Sequence, residues 1–175
     1  VEDILAHGRR AAELDSKNPR ASDSISRHYF SSGKFEQAKQ YAQRAVKLNP
    51  SYPEAHNSLG QALVHSGCYS DAEPHFNKAI ELNPLDTNAI IYKDGLFFAH
   101  MGLGNFEMAY SLIQECVAQF SEAGFYKGFR ASVMGYLNKR DEAKLALEEY
   151  LALRPNLKKK SDYKKIFVPN SNLAD

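Results

Sequence analysis

The chain has 175 residues, with 22 basic and 21 acidic side chains and 43% hydrophobic residues. This near-balance of charge excludes a general attraction to nucleic acid or to an anionic membrane surface, and the hydrophobic content excludes disorder by composition. No apolar stretch approaches the roughly 18 residues of a membrane-spanning helix, and two cysteines do not make a disulfide framework, so we expect a cytoplasmic protein with reduced thiols.

A repeat of 34 residues is the most informative pattern in the sequence. The segment KFEQAKQYAQRAVKLNP, which ends at Pro50, is matched by CYSDAEPHFNKAIELNP, which ends at Pro84. A period of this length predicts an all-α fold of stacked helix pairs, in which each pair buries the apolar face of its neighbour. The matching positions are Gly33 and Gly67, Phe35 and Tyr69, Ala38 and Ala72, Ala45 and Ala79, and Leu48 and Leu82.

A recurrent alanine divides the chain into units, each with a first helix (helix A) and a second helix (helix B). It occurs at Ala38, Ala72, Ala109 and Ala143, at intervals of 34, 37 and 34 residues. The third unit therefore has a three-residue insertion, which lengthens either its helix A or the preceding loop. In chain order we predict helix B of a truncated leading repeat at 1–18, repeats at 19–52 and 53–86, an irregular repeat at 87–123, a repeat at 124–156 and a basic capping segment at 157–175.

The turns between helix A and helix B need residues that tolerate left-handed backbone. Gly33 and Gly67 supply this conformation in the first two repeats, and we expect Asn138 to supply it in the last. Pro74 is predicted to lie in the first turn of its helix B, where its missing N–H has no intrahelical acceptor.

The two ends of the chain carry separate expectations. The leading segment aligns with a lone helix B through Ile4, Ala11 and Leu14, so we expect more protein upstream. The stretch from Arg154 to Lys165 carries six basic residues against one acidic residue. A capping helix with a solvated face accounts for this charge, while a site for an acidic partner and weak nucleic-acid contact remain the alternatives.

The pattern G-x-[FY]-x-x-A followed by A-x-x-L-x-P resembles the tetratricopeptide repeat. The units at 19–52 and 53–86 meet the pattern in full, and the last two units meet it in part. The resemblance implies helix–turn–helix repeats stacked into a right-handed superhelical solenoid. It also implies a scaffold that binds a protein or peptide and has no catalytic activity of its own.

A weaker resemblance concerns the carboxy-terminal end. The segments EAKLALEEYLALRP and IFVPNSNLAD look like the repeat regions attached to bacterial class III adenylate/guanylate cyclases. This resemblance implies a regulatory module of a larger signalling enzyme, which the full-length gene would reveal. Self-association through exposed end repeats is a third alternative, so formation of a homo-oligomer stays open.

The helix A segments of such an array line its concave face, so residues facing that groove are the candidate peptide-binding set. Its amino-terminal part is polar and its carboxy-terminal part is aromatic, which suits backbone hydrogen bonds at one end and an apolar anchor at the other. Phe98, Phe129 and Tyr136 have packing in the core as their alternative. The set is Asp23, Arg27, Asn57, Gln61, His65, Asp94, Phe98, Phe129, Ser132 and Tyr136.

Related repeat domains capture acidic chaperone tails with a clamp of lysine, asparagine and arginine. At the corresponding places this chain has Asp23 and Arg27, then Ser58, then Ile91 and Gly95. An aspartate in place of a cation would repel a terminal carboxylate, so chaperone carboxy-terminal tails are disfavoured as partners.

Metal, cofactor and catalytic sites have no support in the sequence. No two of the six histidines are four residues apart, and no cysteine lies in a metal-type cluster. No nucleophile elbow or glycine-rich phosphate loop is present. We therefore predict no metal, no cofactor, no catalytic residues, and neither nucleic acid nor a membrane as partner.

Overall fold

The computed structural model of the chain describes residues 6, 10, 11, 15–84, 89–120 and 124–153, and all regular secondary structure in these residues is α-helical. The predicted all-α fold class of tandem helix–turn–helix repeats is confirmed. Eight helices run through the described residues from 19 to 152: α1 Pro19–Ser31, α2 Phe35–Leu48, α3 Pro53–His65, α4 Tyr69–Leu82, α5 Ala89–Leu103, α6 Phe106–Gln119, α7 Gly124–Tyr136 and α8 Arg140–Ala152.

The chain divides into two compact units, Val1–Leu103 and Gly104–Asp175, which we call the N-terminal unit and the C-terminal unit. In the N-terminal unit each of the helices α1 to α4 packs against the next. The helix A segments also touch one another, α1 with α3 and α3 with α5. In the C-terminal unit α6 packs against α7, and α7 against α8.

Helix starts and turns follow from local chemistry. Asn18 caps α1 by accepting hydrogen bonds from the backbone N–H groups of Arg20 and Ala21, at 3.0 and 3.3 Å. Proline begins both α1 and α3, where its missing N–H costs nothing.

The predicted left-handed turns are confirmed, with φ of 71° at Gly33, 76° at Gly67 and 58° at Asn138. The residue after each of them donates its backbone N–H to a carbonyl five positions earlier, at 2.9 to 3.0 Å. This bond satisfies a carbonyl that the end of helix A would otherwise leave unpaired.

The buried side chains of α2 and α4 are alanines and one large ring. Ala38, Ala42 and Ala45 are fully buried along α2, so its neighbours can approach closely. In α4 the corresponding middle position is Phe76, which is also fully buried. A Cβ added at Gly60 would stand 2.8 Å from the Phe76 ring, and one at Gly95 would clash with it. Two glycines thus make room for this ring between α3 and α5.

The prediction for Pro74 is wrong. Helix α4 begins at Tyr69, so Pro74 is its sixth residue and lies in the second turn. At that position the missing N–H leaves the carbonyl of Ser70 without its intrahelical donor. The side chain of Pro74 is exposed, so the surrounding core does not compensate for the lost bond.

Helix α5 is the longest helix A segment among the described residues. Helix α5 has 15 residues, whereas α1 and α3 have 13 each. The preceding loop includes residues 85–88, which lie outside the described residues. The same is true of Ile4 and Leu14 and of the predicted basic tail at 157–175, although Ala11 is helical. None of the described helices combines the length and the hydropathy that crossing a bilayer requires.

Candidate functional site

One register position recurs on the three helix A segments of the N-terminal unit. It is occupied by Asp23 on α1, Asn57 on α3 and Asp94 on α5, at intervals of 34 and 37 residues that equal those between the repeated alanines. Since α1 packs on α3 and α3 on α5, equivalent positions lie side by side. We call these three residues, each of which has a side-chain oxygen, the acceptor row.

The side chain of Asp23 is buried and hydrogen-bonded within the protein. It is only 3% exposed, and its carboxylate accepts a hydrogen bond of 2.6 Å from the Ser58 hydroxyl, which ties α1 to α3. Burial raises the pKa of Asp23, while the Ser58 hydrogen bond and the charge of Arg27 oppose that rise. Burial, reinforced by the negative charge of Asp23, raises the pKa of neighbouring Tyr52 to about 12. Asp23 therefore acts first as a structural link.

Asn57 and Asp94 have unmet hydrogen-bonding capacity. Both residues are half-buried. Their Oδ1 atoms are shielded from solvent and accept no hydrogen bond from the described residues. Burial raises the pKa of Asp94 to about 6, because the charged carboxylate is poorly solvated there. A buried acceptor without a donor costs about 1–3 kcal/mol, so this part of the row gains from any group that supplies N–H donors.

A second row lies one turn further along the same helices. It consists of Arg27, Gln61 and Phe98, each four residues after a member of the acceptor row and so on the same helix face. Arg27 is exposed, and Gln61 and Phe98 are half-buried. The ring of Phe98 meets that of Phe97 edge to face, with centroids 5.1 Å apart. The two rows together offer a mixed polar and aromatic surface.

His65 packs into an aromatic cluster at the end of α3. Its ring stacks on Phe35 with centroids 4.7 Å apart and meets Phe30 edge to face at 4.8 Å. Burial lowers the pKa of His65, so the neutral imidazole is favoured. These contacts connect the turns of two successive repeats.

The remaining three candidates lie on α7, which belongs to the C-terminal unit, whereas the other seven belong to the N-terminal unit. Phe129 is half-buried and meets Phe125 at a centroid distance of 6.0 Å. Ser132 is half-buried too. Tyr136 is 49% exposed and stacks on Phe106 at 4.6 Å. This exposed ring is the most accessible of the three.

A histidine pair was missed by the sequence reasoning. His56 Nδ1 lies 3.1 Å from His75 Nδ1, and His56 Nε2 lies 3.0 Å from the carbonyl oxygen of Pro50. A carbonyl only accepts, so the His56 proton is on Nε2, and His75 donates from its Nδ1 to His56. The two residues lie on successive helices, α3 and α4, 11 residues before and 8 residues after the turn at Gly67. Spacing within one helix could not reveal this contact.

No three histidine, cysteine, aspartate or glutamate side chains in the described parts of the chain are arranged to hold a metal ion. Cys116 is buried and Cys68 half-buried, and both are free thiols.

Sequence comparison identifies the repeat. Residues 25–87 match the sequence model of the tetratricopeptide repeat family. Residues 25–87 are tetratricopeptide repeats. This match covers α2, α3 and α4 and the second half of α1, and so includes Ser58 and Asn57 but not Asp23. No curated protein matches the sequence.

Solved tetratricopeptide repeat structures share the fold. MamA from Desulfovibrio magneticus RS-1 is similar with a TM-score of 0.76 and 17% identity, covering 90% of this chain and 88% of that one. YrrB, described as a TPR protein with an unusual peptide-binding site, has a TM-score of 0.72 and 21% identity, covering 89% and 79%. A thermophilic TPR protein from Thermus thermophilus has a TM-score of 0.69 and 17% identity, covering 93% and 86%. Tetratricopeptide repeat proteins are generally non-catalytic scaffolds that bind proteins or peptides.

Proposed function

We propose that this chain is a non-catalytic, cytoplasmic interaction scaffold that binds a peptide segment of a partner protein along the helix A face of its N-terminal unit, in the concave groove expected of such an array. The observation that carries this proposal is the pair of shielded, unpaired oxygens on Asn57 and Asp94. Most polar groups buried in a folded protein have a hydrogen-bond partner, and an extended peptide brings backbone N–H donors.

The dimensions of the face suit a short segment. Packed helices lie about 10 Å apart, so three helix A segments cover about 20 Å. An extended strand advances about 3.3 Å per residue, which gives a footprint of about six residues. The second row, with Gln61 in the middle and Phe98 at one end, supplies an amide and an apolar contact to such a segment.

Acidic chaperone tails remain disfavoured as ligands. The acceptor row carries two carboxylates, and the charge of Arg27 already acts on one of them, Asp23. A terminal carboxylate placed on this face would be repelled and would leave the oxygens of Asn57 and Asp94 unpaired.

A groove-filling substitution tests the proposal. Peptides that bind the full chain are selected from a random display library and measured by fluorescence anisotropy. Gln61→Trp places a large side chain in the middle of the face without changing its charge. We expect the affinity for the peptide to fall about tenfold or more, because one well-placed contact region is lost. Gln43→Trp, at an exposed position on helix B, is the matched control and should leave affinity unchanged. Equal binding by both variants would refute the proposed face.

Self-association is a second candidate function. Several apolar side chains of the C-terminal unit are exposed, including Met108 at 54%, Leu145 at 60% and Leu153 at 51%. Exposed apolar groups of this kind favour contact between copies. Light scattering over a concentration series decides the matter, because a mass that stays monomeric throughout excludes self-association.

The regulatory-module alternative lacks comparable support. Neither the family match nor the solved structures described above support the weaker resemblance to cyclase repeat regions. Much of that resemblance falls on residues 154–175, outside the described residues. The proposed repeat boundaries at 19, 53, 87 and 124 do not depend on it.

A further inference from the structure

The charges on the helix A face of the N-terminal unit are unevenly distributed. Arg27 lies one turn from Asp23 on α1, and its charge acts on that carboxylate. The Oδ1 atom of Asp94 on α5 accepts no hydrogen bond from the described residues, and burial is what raises the pKa of this carboxyl. The end of the acceptor row formed by α3 and α5 therefore has a carboxylate that no cation of the described chain neutralises.

The groups around this carboxylate require donors. Asn57 occupies the equivalent position on the neighbouring helix, and its shielded Oδ1 is also an acceptor without a donor among the described residues. A backbone N–H would satisfy one oxygen but would leave the carboxylate charge unbalanced. An ammonium or guanidinium group supplies several N–H donors together with a positive charge.

Phe98 adds a third contact of the right kind. It follows Asp94 by four residues, so its ring lies one helical turn away on the same face. Aromatic faces attract cations, and the aliphatic stem of lysine or arginine packs on such a ring. A carboxylate, an amide oxygen and an aromatic ring thus occupy neighbouring register positions on two packed helices.

We propose that the segment bound by the N-terminal unit inserts a lysine or arginine side chain between Asp94 and Asn57, with its stem against Phe98. This proposal rests on the peptide-binding function proposed above and specifies its ligand: a basic segment instead of an acidic or neutral one. The cation pairs with the Asp94 carboxylate and donates a hydrogen bond to the Asn57 side-chain oxygen.

The experiment uses the full chain and peptides selected from an unbiased library at pH 7.5. We expect a basic residue to be enriched at one position. Replacing arginine at that position with citrulline, which keeps N–H donors but not the charge, should weaken binding about tenfold, as expected for loss of a charge-assisted hydrogen bond. Asp94→Asn should weaken binding of the basic peptide by a similar factor while leaving the citrulline peptide nearly unaffected.

A matched control isolates the position of the charge. Glu81→Gln removes one exposed carboxylate from α4 in the same unit, with the same change in net charge, and should not alter affinity. Peptides that lose affinity with Gln61→Trp but show no basic preference and no response to Asp94→Asn would overturn this inference and leave the proposed function intact. If no selected peptide responds to Gln61→Trp, both proposals fall.

Discussion

The Phe76 ring occupies the space where the side chain of any residue larger than glycine at position 95 would begin. Phe76 belongs to helix B of one repeat, and Gly95 to helix A of the next. Their close approach explains how α4 and α5 pack with a large ring between them, next to Asp94 of the acceptor row.

Gly95→Ala should therefore destabilise the fold even though alanine favours helix formation. The added Cβ meets the fully buried Phe76 ring, and overpacking of this kind costs about 1–3 kcal/mol. Urea unfolding followed by circular dichroism measures the change. Gly135→Ala is the matched control, because a Cβ there meets nothing within 4 Å, and it should stabilise by about 0.5 kcal/mol. An unchanged midpoint for Gly95→Ala would show that the ring moves aside freely.

Pro74→Ala should stabilise the protein. The substitution restores the backbone donor for the Ser70 carbonyl in the second turn of α4. Proline in a helix interior costs about 3 kcal/mol, and up to about 1 kcal/mol of the gain is lost because alanine frees the unfolded chain. We expect a net gain of about 2 kcal/mol in thermal or urea unfolding. Pro53→Ala, at the first position of α3, should bring no gain, and equal gains at both sites would contradict this account.

Asp94 should make stability depend on pH. Its pKa is raised from 3.8 to about 6, so the folded state holds the proton more tightly than the unfolded state does. The stabilisation is complete below pH 3.8 and is lost as the pH rises through about 6. The shift of about two pKa units corresponds to roughly 2 kcal/mol after partial solvent screening.

Asp94→Asn isolates this contribution from that of other carboxylates. The difference in unfolding free energy between the wild type and the variant should change by roughly 2 kcal/mol between about pH 4 and pH 7, with the variant relatively more stable at the higher pH. Glu81→Gln serves again as the control for loss of one exposed carboxylate. Parallel pH profiles for the wild type and Asp94→Asn would exclude the burial effect.

The histidine pair should lose stability in acid. Burial and the charge of His56 lower the pKa of His75, while Asp71 opposes the shift. The unfolded state binds protons more readily, so the contribution is present above pH 6.5 and is lost as the pH falls below it. His75→Gln should make the melting temperature less sensitive to pH between about 7.5 and 5.5.

NMR provides a direct check of the pair. Long-range nitrogen–proton spectra at neutral to mildly basic pH should show His56 protonated at Nε2 and His75 at Nδ1, as the 3.0 Å contact with Pro50 requires. The opposite tautomer at His56 would contradict the hydrogen-bond assignment.

The turns and the helical repeat could be predicted because their causes are local. Gly33 and Asn138 adopt left-handed backbone for reasons contained in a few neighbouring residues, and the repeat equates Asp23, Asn57 and Asp94 without any structure. Helix boundaries depend on weaker preferences, and Pro74 lies in the second turn of α4 and not in the first turn as predicted.

The sequence by itself determined the helix pairs, their order and the row of equivalent positions, since a regular period and turn chemistry are written in consecutive residues. Only the tertiary structure decided that Ser58 satisfies Asp23 whereas Asn57 and Asp94 keep unpaired oxygens, that His75 reaches His56, and that two glycines accommodate Phe76. These outcomes depend on which side chains of different helices come within contact distance, and that is fixed by the packing of residues far apart in the chain.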